Sequence, residues 1–247
     1  MSDKSPTLSP RETRTVSLTR PRRPSLIVFD VNETLSDLSP MAERFTDVGA
    51  PAHLAKVWFA GLLRDGFSLT AVGVNEAFAT IAAEGARVAL SGVSLDRGIE
   101  DAVRLVMEGF TRLPLHPDVH DGVRALAHAG YRLVTLSNGS ASVAEALLDQ
   151  TGLAEHFEAL LSVEDAPLWK PSAMAYHHAL TRCEVDPADA MLVAVHPWDI
   201  DGAARAGLAT AWINRDAGHY PGYFEAPDLS VGSLTELADE LAAELSQ

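Results

Sequence analysis

A carboxylate followed four positions later by a threonine, in Ser25-Leu26-Ile27-Val28-Phe29-Asp30-Val31-Asn32-Glu33-Thr34-Leu35, is the first arrangement in this sequence with chemical potential. Leu26 to Phe29 read as a fully buried parallel strand, which sets Asp30 at its C-terminal end, where open α/β sheets bind ligands. A carboxylate there can attack an electrophilic carbon or phosphorus and carry a covalent intermediate. Taken alone, it serves equally well to end a strand and begin a turn. Three later segments supply matching parts. Leu136-Ser137-Asn138-Gly139 offers a hydroxyl, an amide and a flexible backbone at a strand-to-helix junction. Such groups suit an anionic oxygen, although an ordinary helix start capped by Ser140 has the same composition. Lys170, in Trp169-Lys170-Pro171, is one of only three lysines, with Lys4 and Lys56. A lone lysine before a proline at a sheet edge points to a carboxylate partner, and near Asp30 it would keep that group ionised. In Val195-His196-Pro197-Trp198-Asp199, Asp199 is placed to hold Lys170 or to orient a water. His196 is there as a ligand contact, a base or simply a polar strand end.

The elements that must position these residues alternate in type. After the first strand the apolar spacing turns helical, over Met41–Val48, Ala52–Arg64, Val74–Leu90 and Leu95–Phe110, with Gly66, Gly73, Gly92 and Pro114 as punctuation. No strand signal intervenes, so residues 39–112 read as an inserted all-helical cap. From Pro117, helices at Val119–Ala129, Ala141–Gln150, Ala173–Cys183, Ile200–Ala206 and Leu234–Leu245 alternate with strands at Arg132–Leu136, Ala159–Val163, Met191–Val195 and Thr210–Ile213. The alternation predicts an α/β fold with a doubly wound, Rossmann-like parallel sheet and right-handed crossovers, formed by residues 25–38 and 113–247. The cap would leave the sheet beside Asp30, where excluding water strengthens every electrostatic contact beneath it.

Composition narrows the function classes. The chain has 247 residues, 47% of them apolar, enough for a core domain and a small second unit. A formal charge of −15 argues against nucleic acid as a partner. Cys183 is the single cysteine, so no internal disulfide forms, which suits a reducing cytoplasm. No apolar run approaches the length of a membrane span. Residues 1–24 are basic, rich in Ser, Thr and Pro, and without apolar periodicity, and they read as a flexible tail. Arg22-Arg23 is not a twin-arginine export signal on this reading, because the apolar run after it is too short and leads straight into Asp30.

Together, Asp30-x-x-x-Thr34, Ser137, Lys170 and Asp199, each after a core strand, resemble the haloacid dehalogenase superfamily over nearly all of residues 25–247. Phosphatases of that superfamily carry a second aspartate two residues after the nucleophile, where this chain has Asn32. Its magnesium-dependent members place an aspartate four residues before the position of Asp199, here Val195, in a register fixed by Ala203-Ala204-Arg205-Ala206-Gly207. The pattern is more similar to the type II (S)-2-haloacid dehalogenases, which work without metal. Ser137-Asn138-Gly139, Trp169-Lys170-Pro171, Tyr176, Trp198-Asp199 and Ala211-Trp212-Ile213-Asn214-Arg215 all match that family. Three positions depart from it. The halide-cradling arginine after a cap-helix tryptophan is replaced by Phe59 after Trp58, and a serine and an asparagine near the fourth strand become Ala194 and His196.

The resemblance implies that Asp30 displaces halide from C2 of a short 2-haloalkanoate, inverting that carbon, and that water then hydrolyses the aspartyl ester. Lys170 would stabilise the Asp30 carboxylate and Asp199 would orient or activate the water. Amides around Val31 and Asn32 would hold the developing oxyanion, and Thr34 would fix the loop. Ser137 and Asn138 would bind the substrate carboxylate, while Phe59, Tyr176 and Trp198 form a dry wall. For the positive potential at the leaving group, His196, reaching in from the sheet edge, is preferred over Arg64 on the cap helix. No cofactor is expected, and the resemblance implies a homodimer. Two rival readings are a phosphatase with altered metal ligation and a non-catalytic binding protein that kept the fold.

Overall fold

A computed structural model describes residues 23–243. The expected basic tail up to Arg22, and the end of the last helix at Leu245, lie outside these residues. Arg23 packs over the Tyr131 ring, 4.6 Å from its centre, and donates to the Ala129 carbonyl.

Six parallel strands form one sheet in the order β3-β2-β1-β4-β5-β6. They are β1 (Leu26–Phe29), β2 (Arg132–Ser137), β3 (Ala159–Ser162), β4 (Ala190–Ala194), β5 (Ala209–Ile213) and β6 (Leu229–Val231). Every side chain of β1 is buried, as a central parallel strand covered on both faces requires. The chain leaves β1 in the middle of the sheet, builds outward through β2 and β3, and returns to β4 on β1's other side. The order reverses between β1 and β4, which opens the crevice at their C-terminal ends.

Strand alternation divides the interior in two. Ile27, Phe29, Leu133, Met191 and Val193 face α5 (Val119–His128), α6 (Ala141–Asp149) and α9 (Leu234–Ala243). Leu26, Val28, Val134, Leu136 and Leu192 face α7 (Ala173–Cys183) and α8 (Pro197–Arg205). That second core runs on without a break into the inserted helices α1 (Met41–Thr46), α2 (Leu54–Ala71), α3 (Phe78–Leu90) and α4 (Ile99–Phe110). Trp58 anchors the insert, with its ring edge-on to Phe110 at 5.8 Å and its Nε1 donating to the Ala82 carbonyl at 2.8 Å.

Several boundaries differ from the sequence expectation for physical reasons. Gly66 does not end a helix. α2 runs through it to Ala71 because Trp169 lies against that spot, where a Cβ would come within 2.4 Å of the indole. Val74–Ala77 are not helical. Asn75 Nδ2 donates to the carbonyls of Val163 and Ala166, and the Glu76 carbonyl accepts Trp169 Nε1, joining the insert to the β3 edge. α8 begins at Pro197 rather than Ile200, with proline in the first helical turn, so Asp199 sits inside the helix. The edge strand β6 is too short to carry a periodic signal.

Candidate active site

Asp30 leaves β1 at its C-terminal end, and β4 delivers Val195, His196 and α8 beside it. Lys170 reaches the same point from the segment after β3. Its Nζ is fully buried and lies 2.9 Å from Asp30 Oδ1 and 2.6 Å from Asp199 Oδ2. A buried ammonium between two buried carboxylates is stable only as an ion triad, since either charge left alone would cost several kcal/mol. Burial would raise the Asp30 carboxyl, but the charge of Lys170, with the hydrogen bond and charge of His196, outweighs it and holds the group far below the ordinary carboxylate range. Asp199 moves the other way. Burial, helped by the charge of Asp30, lifts it despite Lys170. The pair is therefore split into a more acidic carboxyl, Asp30, and a more basic one, Asp199, the division of labour that acid–base chemistry uses.

Each partner is held in turn. Tyr176 donates to Asp199 Oδ1 at 2.6 Å, and burial together with that carboxylate keeps the phenol well above its ordinary value, hence protonated. Gly202 leaves the room for this contact, because a Cβ there would stand 2.6 Å from the Tyr176 hydroxyl. Asn138 accepts the Lys170 N–H at 3.0 Å and donates to its carbonyl at 3.2 Å, which fixes the lysine's backbone. Ser137 accepts the Gly139 N–H, and Ser162 donates to the Gly139 carbonyl, shaping the turn into α6. Val195 N–H donates to Thr34 Oγ1, so the threonine's own hydrogen points to Asp30 Oδ2 at 2.7 Å.

His196 completes the cluster. Its Nδ1 is 3.2 Å from Asp30 Oδ2 and its Nε2 is 2.8 Å from Glu33 Oε2. Both ring nitrogens face carboxylate oxygens, which only accept, so the contacts are satisfied by the doubly protonated ring. Burial opposes that charge, but the two carboxylates override it and raise the imidazolium to about 9. The ring stacks on Trp198 at 5.1 Å and lies 6.5 Å from Phe59 of α2, while Phe67 of the same helix meets Trp198 edge-on at 4.9 Å. α2 thus meets His196 and Trp198 with aromatic side chains.

The structure brings Asp30, Thr34, Lys170, Asp199, Tyr176 and His196 into one hydrogen-bonded group, with Phe59 and Trp198 beside it. Val31 and Asn32 are buried in the loop after β1, where Asn32 bridges to Ser36. Ser137 and Asn138 stand at the crevice, where Ser137 accepts from Gly139 and Asn138 pairs with the Lys170 backbone, and these bonds leave the serine hydroxyl hydrogen and one hydrogen of the Asn138 amide to donate. Arg64 points away: its side chain is 72% exposed and pairs with Asp65. Glu33 is the residue sequence reasoning missed. The available signal was its place inside the Asp30-to-Thr34 loop, but its partner is far off in sequence.

A family model described as haloacid dehalogenase-like hydrolase matches residues 24–207. The chain is 31% identical over 225 residues to an (S)-2-haloacid dehalogenase of Burkholderia cepacia, covering 89% of this chain and 96% of that protein. It is 28% identical to a haloacetate dehalogenase of a Moraxella species, covering 87% and 97% of the two chains. Among solved structures, a dehalogenase with an intermediate complex superposes with a TM-score of 0.82 at 28% identity, covering 89% of this chain and 97% of the other.

Proposed function

The chain belongs to the haloacid dehalogenase-like hydrolase family, and from that premise we propose that it hydrolyses short 2-haloalkanoic acids to 2-hydroxy acids through an ester of Asp30. The observation that carries this reading is the buried Asp30, bridged by Lys170 to a second buried carboxylate at the mouth of the sheet. Relatives that act on haloacids align over nearly the whole chain and support the same choice.

Asp30 attacks C2 in line with the carbon–halogen bond, the halide leaves with the bonding pair, and C2 inverts. Water then adds to Cγ of the ester while Asp199 takes one of its protons. Collapse breaks the bond between Cγ and the ester oxygen, and the product oxygen receives the proton from Asp199. The aspartic acid so regenerated ionises, releasing one proton per turnover. Asp199 suits the base because its environment favours the protonated form more than that of Asp30 does. Ser137, Asn138 and the amides at the start of α6 receive the substrate carboxylate. The amides of Val31 and Asn32 border the reacting loop. Phe59, Tyr176 and Trp198 keep water from the carbon–halogen bond, with residues 39–112 acting as the cap. The lone Cys183 is in keeping with work in the cytoplasm.

This reaction needs no metal. Both oxygens of Asp30 already face donors, Oδ1 the ammonium of Lys170 and Oδ2 the Thr34 hydroxyl and His196. A divalent ion placed there would meet two fixed cations.

Single turnover of 2-chloropropionate in ¹⁸O-labelled water tests the proposal. The product's new oxygen is expected to come from the protein and the label to enter Asp30, with Asp30→Asn inactive in multiple turnover and wild-type activity unchanged after chelation. Label appearing directly in the product sinks the ester mechanism, and activity restored by magnesium favours a phosphatase instead.

A further inference from the structure

Glu33 and its contact to His196 are not used by the mechanism above, yet Glu33 sits two hydrogen bonds from the nucleophile, through His196. Glu33 occupies the left-handed region, at φ +63°, which an L-residue with a long side chain adopts at a cost. His116 donates to its carbonyl oxygen at 2.9 Å and so helps to hold it there. The consequence is that the Glu33 carboxylate, from a half-exposed side chain, meets His196 Nε2 at 2.8 Å.

The two oxygens of Asp30 are unequally engaged. Oδ1 faces one donor, Lys170 Nζ. Oδ2 faces two, the Thr34 hydroxyl at 2.7 Å and His196 Nδ1 at 3.2 Å. An oxygen with two donors is the poorer nucleophile and the better place for negative charge to accumulate. Oδ1 is therefore the atom that attacks carbon, and Oδ2 remains as the carbonyl oxygen of the ester. When water adds to Cγ, the carbonyl π pair moves onto Oδ2, between Thr34 and His196. It returns when the bond between Cγ and Oδ1 breaks.

We propose that Glu33 is a positioning residue that holds His196 with Nδ1–H on Asp30 Oδ2, so that His196 and Thr34 together stabilise the oxyanion of the hydrolytic step. The proposal rests on the aspartyl-ester reading and adds to it the oxyanion's location and a residue that sustains it. The charged groups around the imidazole are Asp30 at the end of β1, Glu33 in the following loop, Lys170 across Asp30, and Asp199 on α8. α2 contributes the apolar Phe59. With two anions in direct contact, the ring keeps both protons. A neutral ring would turn a lone pair toward one of the carboxylates. In Glu33→Gln that penalty disappears, because an amide can donate to Nε2, and the ring is free to lose a proton.

The sign of the pH effect follows. The oxyanion contact is strongest while the ring is doubly protonated, because the Nδ1–H bond to Asp30 is then charge-assisted; loss of the Nε2 proton leaves Nδ1–H in place but removes the charge. It weakens as pH rises through the ring's value, which the two carboxylates raise to about 9 in the free protein and which Glu33 alone sustains once Asp30 is esterified. Glu33→Gln is expected to move the alkaline limb of the hydrolytic step down by about 1–2 pH units. It should leave the rate of Asp30 alkylation within about twofold, a split between steps that a merely structural defect would not produce. As pH is raised, the variant should begin to accumulate the alkylated protein, read as added mass on Asp30, at a lower pH than the wild type. Glu33→Asp should restore part of the shift.

¹⁵N resonances of His196 give a readout apart from turnover. Both ring nitrogens should report the protonated ring at pH 7.5 in the wild type, with the titration midpoint lowered in Glu33→Gln. A wild-type ring that is neutral at pH 7.5, or a midpoint unmoved by Glu33→Gln, overturns the pairing even if the ester forms. Ester formation with unchanged hydrolysis and an unshifted alkaline limb in the variant overturns the oxyanion role alone. Absence of any ester in single turnover overturns both this proposal and the reading beneath it.

Discussion

His196 stands at a position where exposure and electrostatics separate two candidates for the cationic contact with substrate. Its ring touches Asp30 and lies against Trp198 and Phe59. The Arg64 guanidinium spends its charge on Asp65 in solvent, and an exposed pair of that kind contributes little. His196→Ala is expected to lower kcat for 2-chloropropionate about 100-fold, the loss typical of one oxyanion donor, with the fold retained by circular dichroism. Arg64→Ala should stay within about twofold, as expected for an exposed surface change. An inactive Arg64→Ala beside an active His196→Ala would reverse the assignment. Asp30, Lys170 and Asp199 were legible in the sequence because each follows an apolar run at a sheet edge, and the topology brings such edges together. Glu33 was not legible. A turn glutamate is ordinary by itself, and its meaning arises only from a histidine 163 positions away.

α2 carries the aromatic wall, and the way it is seated decides where Phe59 and Phe67 stand. It meets the sheet domain at Gly66, directly under Trp169, which also stacks with Phe78 of α3 at 5.9 Å. Gly66→Ala would gain about 1 kcal/mol of helix propensity but force a methyl into a buried, rigid indole. Overpacking of that kind costs about 1–3 kcal/mol. The net expectation is a lower unfolding midpoint and a several-fold loss of turnover as the wall shifts. A variant more stable than wild type, with full activity, would mean that the joint adapts freely. Sequence periodicity placed the strands that lead to Asp30 and Asp199 because burial on both faces leaves a plain apolar run. It misread Gly66 as a break because glycine marks both helix ends and close packing, and only the partner ring distinguishes them. It also drew Val74–Ala77 into α3, since the bonds that hold Asn75 out of the helix come from Val163 and Ala166, across the joint.

The whole molecule sets one further condition on its chemistry. The chain's formal charge of −15 opposes an anionic substrate approaching through solvent, while Lys170 and His196 supply positive charge only at short range. These two fields respond differently to salt. The long-range repulsion is screened with a Debye length of about 30 Å at 0.01 M ionic strength and about 8 Å at 0.15 M, whereas the buried ion triad is largely shielded from dissolved ions. Raising ionic strength between those limits is therefore expected to increase kcat/KM for a 2-haloalkanoate about two- to fivefold, through KM. kcat should change little, because the reacting groups lie beneath the helical insert. The uncharged 2-chloropropionamide is the control, and its binding should be insensitive to salt. If kcat/KM for the carboxylate falls as salt rises, substrate is drawn in by a positive surface, and the basic residues responsible would then have to lie outside residues 23–243 or at the rim of the crevice. A rise shared equally by the amide would instead point to an effect of salt on the protein itself.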